Sequence, residues 1–177
     1  MVHARREDTV AKADELYDRL EHRAAMTPYQ RRSAMTPSAE DFLHSLSYYR
    51  YSLLYVMCPA IDRATELGFR ARTSHQATLT VLAVKRWLAQ KGGYPATLND
   101  LVSAGLLQEL PSDPYSDKPL VYRATTDGFT LYSLGPNFED DAGATGKDRD
   151  GHPKAWADDG DTVFWPVPKA ASQPKTN

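Results

Sequence analysis

"LVYRATTDGFTLYSL", residues 120–134, contains two segments in which apolar and polar residues alternate, joined through Asp127-Gly128. Alternation with period two marks strands that bury one face, and Asp-Gly between two such segments signals a β-hairpin, since it supplies the positive φ that a tight turn demands. Leu120, Tyr122, Phe129, Leu131 and Tyr132 are strand formers. A lone hairpin is marginal in water, so flanking chain must cover it.

The chain upstream supplies candidates for that cover. Ala77, Val81, Val84 and Leu88 recur at helical spacing and form one apolar stripe, and Gly92 and Gly93 follow as a stop. Thr97 and Asp100 have the spacing of a capping box and open a short helix, "LNDLVSAG", ended by Gly105. The segment "LPSDPYSDKP", residues 110–119, is rich in turn formers. Further upstream, Ser38 and Asp41 start another helix with Phe42, Leu46, Tyr49, Leu53 and Val56 on one stripe. Together these predict a helical spine over residues 38–92, kinked near Pro59, which lacks an N–H and clashes with the preceding turn. Before it, Val10, Ala13, Leu16, Tyr17 and Leu20 mark an amphipathic helix over residues 5–25, and "AMTP", repeated at 25–28 and 34–37, reads as turn and helix-start signals. The expected fold class is α+β, a long helical spine packed on a small antiparallel sheet. The expected organisation is a helical extension at 1–37, one domain at 38–168, and a disordered tail, "KAASQPKTN", at 169–177.

Composition removes several functions. The chain has 177 residues, 41% of them apolar, and a net charge of −2, so no broad positive field attracts nucleic acid or anionic lipid. Cys58 is alone, and His3, His22, His44, His75 and His152 are scattered without ligand spacing. The first residues lack the apolar core of a secretory signal, and the longest apolar run, residues 51–61, is short of the roughly 20 residues that span a bilayer. No nucleophile elbow, Walker loop or dinucleotide-binding glycine pattern is present. The tyrosine-rich stretch "SYYRYSLLYV", residues 47–56, is apolar on most sides of a helix. Tyr48, Tyr49, Tyr51 and Tyr55 therefore predict contact with a protein partner or a second copy.

The chemistry concentrates after the hairpin. Glu139, Asp140, Asp141, Asp148, Asp150, Asp158, Asp159 and Asp161 fall within 23 positions, interrupted by Lys147, Arg149 and Lys154 as the only cations. Such a loop is either a solvated linker or the shell of a hard divalent cation that accepts six to eight oxygens. It is not an EF-hand: with Gly151 at loop position six, positions one and twelve fall on Gly146 and Ala157. A carboxylate-dependent hydrolase, with Glu139 and Asp159 as acid and base, is the catalytic alternative, but the sequence offers it no pocket.

The order of a long helix, Gly92-Gly93-Tyr94-Pro95, Leu98-Asn99-Asp100-Leu101, Pro111-Ser112-Asp113-Pro114, a hairpin and an acidic loop ending "DDGDTVF" resembles the globular domain of the major pseudopilin of the type II secretion system. The likeness covers residues 59 to about 165. It implies a non-catalytic assembly or interaction module of the bacterial envelope, outside the cytoplasm. It also implies a calcium ion held by Ser133 with Asp159 and Asp161; the crowding of acids in the loop itself adds Asp148 or Asp150 as alternates and backbone carbonyls near Leu131 to complete the shell. The chain departs from the family at its N-terminal helix, where Glu40, Asp41, His44 and Arg50 stand in place of an apolar membrane anchor. That departure suggests a module appended to another envelope protein.

Overall fold

The computed structural model describes residues 4–57 and 59–168. The fold is α+β, with six helices and two small antiparallel sheets among the described residues. The predicted tail at 169–177 lies outside them, as does Cys58, next to which the kink at Pro59 was expected. No helix of the described residues is long and apolar enough to cross a membrane. The chain divides into two compact units, one ending at Phe69 and the other beginning at Arg70.

The first unit opens with α1, Arg6–Ala24, followed by α2, Pro28–Ser33, and α3, Ala39–His44. Both short helices start where the two "AMTP" copies end. Thr27 and Gln30 form a capping box with Pro28 at the first helical position, and Ser38 and Asp41 form a second, with Ser38 N–H donating to Asp41 Oδ2 at 2.7 Å. Leu16 and Leu20 of α1 are buried in one cluster with Ala39, Phe42, Leu43 and Leu54. The boundary expected at 37/38 is therefore not where the compact units divide, because the extension and the helix after it share a core. Arg23 helps hold this core closed: its guanidinium donates to the carbonyls of Thr36 and Pro37 and pairs with Asp62 at 3.5 Å.

The spine predicted as continuous from residue 38 is interrupted. After α3 come turns over residues 45–51, then α4, Ser52–Met57, and α5, Pro59–Lys91. The break has a local cause. Ser45 and Leu46 N–H donate to the carbonyls of Phe42 and Leu43 at 3.1 and 2.8 Å, the tight closing bonds of a helix end, and side chains add to them: Ser45 Oγ donates to the Phe42 carbonyl and the Tyr55 hydroxyl to those of Leu43 at 2.5 Å and Leu46 at 3.0 Å. The four tyrosines consequently split. Tyr51 and Tyr55 pack against the first core, while Tyr48 and Tyr49 stay exposed beside Leu53 and Val56. Tyr48 joins the two groups, its ring edge-on to Tyr49 at 5.7 Å and to Tyr55 at 5.0 Å.

In the second unit, α5 presents Thr73, Ala77, Thr80 and Val84, all buried, at spacings of four, three and four. They face a sheet of β3, Val121–Ala124, β4, Phe129–Ser133, and β5, Thr162–Trp165, with β4 central and both pairings antiparallel. Ahead of it, β1, Ser112–Asp113, and β2, Lys118–Pro119, form a two-stranded ribbon after α6, Leu98–Ser103. Ala77, Ala83, Val84, Leu98, Leu101, Leu120, Phe129 and Leu131 form the core. The Tyr122 hydroxyl donates to the Pro95 carbonyl at 2.9 Å and so ties the Gly-Tyr-Pro turn to the hairpin.

The hairpin is where the sequence places it, in the register Val121↔Tyr132 to Ala124↔Phe129. Its turn differs. Neither Asp127 nor Gly128 has a positive φ, and Thr125 N–H donates to the Gly128 carbonyl at 2.8 Å. Residues 125–128 thus form a four-residue loop, a length usually built on a turn that needs no left-handed residue.

Candidate metal site in the acidic loop

The acidic loop joins the end of β4 to β5, and the chain fastens it to itself. Its two arms run side by side through a parallel bridge between Thr145 and Asp161, with Asp161 N–H donating to the Ala144 carbonyl at 2.8 Å. Two glycines permit the approach. A Cβ on Gly146 would lie 1.7 Å from the Asp159 carbonyl oxygen, and one on Gly160 would lie 2.7 Å from the Ala144 oxygen. Trp156 packs at a tilt against Tyr115 and edge-on against Phe164, and its backbone N–H donates to Thr162 Oγ1.

This folding sorts the carboxyl groups by environment. Asp140 is pinned to β4: the Tyr132 hydroxyl and Ala142 N–H donate to its Oδ1 at 2.8 and 2.9 Å, and Arg123 donates to Oδ2 at 3.2 Å. The Tyr132 hydrogen bond chiefly holds the Asp140 carboxyl below the ordinary range, while burial, reinforced by Asp140, raises Tyr132 well above its own. Glu139 and Asp159 are exposed, and Asp159 Oδ1 accepts from Lys147 N–H at 3.3 Å. A groove of about 490 Å³ lies between residues 76–86 and 106–111, and neither acid lines it.

Asp161 is different. Its side chain is 1% exposed. Oδ2 accepts from Gly143 N–H at 2.6 Å, but Oδ1 is buried without any hydrogen-bond partner. Burial is the main reason its carboxyl is pushed up to about 6, with Asp140 and Asp141 adding to the rise and the backbone N–H groups of Gly143 and Asp141 opposing it. An anion in this position is satisfied by a proton or by a cation.

The pH consequence has a definite sign. Between about 4 and about 6 the folded, metal-free chain keeps a proton on Asp161 that the unfolded chain has released, so stability should rise as pH falls through this window. Urea denaturation in chelator should show the parent gaining about 1–3 kcal/mol over Asp161→Asn between about pH 7 and pH 5. A pH-independent difference would mean that Asp161 titrates at its ordinary value.

The other expected ligands are placed as follows. The Ser133 hydroxyl donates to Asp113 Oδ1 at 2.7 Å and accepts from Gly135 N–H at 3.1 Å, so it is engaged with the Pro-x-Asp-Pro turn. Leu131 is buried in the core and paired with Tyr122 on one side and Trp165 on the other. Asp148 and Asp150 gather with His152, their ligand atoms all within 4.8 Å of one another. There Asp148 Oδ1 accepts from the backbone N–H groups of Asp150 and His152 at 2.9 Å, and the latter bond is the first cause of its lowered carboxyl. In the sequence His152 is one of five histidines scattered without ligand spacing, and the fold brings it beside two aspartates. The signal for it was the short Asp-x-Asp-x-His spacing on a glycine turn.

Compared with protein-family models, with curated proteins and with solved structures, the chain matches none.

Proposed function

We propose that the second unit is a non-catalytic assembly or interaction module of a bacterial envelope protein, similar to a pseudopilin globular domain, whose acidic loop is fixed by one calcium ion. The observation that carries the metal is the Asp161 oxygen, buried and without a donor, in a loop whose further ligand candidates are oxygen atoms apart from His152. A hard cation satisfies that oxygen and offsets the surrounding negative charge, and a set made mostly of carboxylate oxygens suits calcium better than zinc. Asp161 and Asp159, two residues apart on one arm, are the principal ligands. Asp148, Asp150 and Ser133 are secondary, the serine because its hydroxyl already has two partners. Outside the cytoplasm, where calcium is plentiful, a dissociation constant of roughly 0.1–1 mM suffices. Tyr48, Tyr49, Leu53 and Val56, all exposed on the first unit, give the chain a separate contact surface for a protein partner.

Thermal unfolding in calcium and then in excess chelator tests the metal. Calcium at about ten times its dissociation constant should add about 1.4 kcal/mol, a midpoint rise of about 6 °C, and Asp159→Ala/Asp161→Ala should abolish the rise. A midpoint indifferent to chelator in metal-stripped parent protein removes calcium. It would favour a second reading, a partner-binding module whose loop needs no metal because Tyr132, Gly143 and Ala142 already anchor its acids.

A further inference from the structure

We infer that the groove between α5 and residues 106–111 seats a second copy of this chain, paired about a two-fold axis. Its walls are the apolar side chains of Leu79, Leu82 and Ala83 on the helix and Leu106, Leu107 and Pro111 opposite. Leu79 and Leu82 stand out from the helix, 47% and 60% exposed, on the side away from the buried Thr73, Ala77, Thr80 and Val84 stripe. The surface therefore carries both a ridge and a trough of apolar atoms.

Charge selects the occupant. Arg86 and Glu109 both line the groove, both are exposed, and neither side chain forms an ion pair or hydrogen bond with another described residue. Lys85, beside Arg86, is instead committed to Trp165, 4.4 Å from its ring. An unlike partner would have to bring its own cation and anion to match this pair. A second copy brings them by symmetry: rotation by a half-turn sets the leucine ridge of each chain into the trough of the other and places Arg86 against Glu109 of the partner subunit, twice. This pairing is independent of the calcium loop and of the tyrosine patch, so it can fail while the proposed function stands.

The test is sedimentation equilibrium of the full chain from about 10 µM to about 500 µM, with thermal midpoints measured alongside. The parent should show a monomer–dimer equilibrium. Arg86→Glu and Glu109→Arg should each weaken it at least about tenfold, since each creates two like-charge contacts. The double variant, with the charges exchanged, should return to within about threefold of the parent. All three variants alter exposed side chains and should melt with the parent. A parent that is monomeric at the highest concentration overturns the pairing, and so does a double variant no better than either single one. A dimer that survives Arg86→Glu but is lost in Tyr49→Ser also overturns it, moving the interface to the tyrosines.

Discussion

Val84→Asp should cost the second unit at least about 4 kcal/mol and abolish its cooperative unfolding at room temperature. Val84 is fully buried on α5, inside the cluster that includes Ala77, Leu98, Leu101, Leu120, Phe129 and Leu131. An aspartate there finds no cation and no donor among these side chains, so it must stay protonated at neutral pH or bring water into the core. Either outcome consumes much of the roughly 5–15 kcal/mol that stabilises a domain of ordinary size. Two controls separate charge burial from general damage to the helix. Val84→Ala keeps the site apolar and should cost about 2 kcal/mol. Ala89→Asp puts the same charge on an exposed turn of α5 and should cost less than about 1 kcal/mol. Circular dichroism melts suffice, and a Val84→Asp chain that melts with the parent would place the core elsewhere.

That prediction rests on a stripe legible in the sequence, because Ala77 and Val84 repeat at the period of a helix that buries one face. The same rule fails at Tyr49, Leu53 and Val56, which fit a stripe with Phe42 and Leu46 yet are 65%, 60% and 79% exposed. Periodicity reports which residues would share a face if the helix continued. It does not reveal that the helix closes on the tight bonds from Ser45 and Leu46 N–H to Phe42 and Leu43, with serine and tyrosine hydroxyls donating to the same carbonyls. The division between the units is hard to read for a related reason: it falls inside α5 just after Gly68, a glycine that the helix runs through without ending.

The candidate site was legible as chemistry and not as geometry. The crowding of aspartates is visible in the sequence, but which of them is buried depends on Gly146 and Gly160 letting two backbone arms touch, a contact between residues far apart in the chain. Burial separates Asp161, with its unsatisfied oxygen, from Asp159, which stays in solvent two residues away. Asp113 is the largest omission. Its setting between prolines marks a turn, and nothing local shows that its carboxyl group reaches twenty residues ahead to the end of β4.

Asp113→Ala should accordingly destabilise the second unit by about 3–5 kcal/mol. The side chain is wholly buried, and its two oxygens accept from Tyr115 N–H at 3.1 Å, Ser133 Oγ at 2.7 Å, Leu134 N–H at 3.0 Å and Ser116 Oγ at 3.4 Å. Alanine leaves these donors facing a cavity, and each buried donor left unpaired costs about 1–3 kcal/mol. Asp113→Asn keeps one accepting oxygen and should fall between alanine and the parent. Ser133→Ala removes one of the donors along with its bond, so it should cost only about 1–2 kcal/mol and should be less than additive with Asp113→Ala. The same series decides what Ser133 does. As an anchor, it links the Asp113 turn to the strand end from which the acidic loop departs. Ser133→Ala then lowers stability equally with and without calcium. As a calcium ligand, it leaves the metal-free stability nearly unchanged when replaced and takes the calcium-induced rise in midpoint with it. The hydroxyl's two existing partners, Asp113 and Gly135, argue for the first outcome. On that account Asp113 and Ser133 fix where the loop starts, and Asp161 supplies the unsatisfied charge that an ion would neutralise.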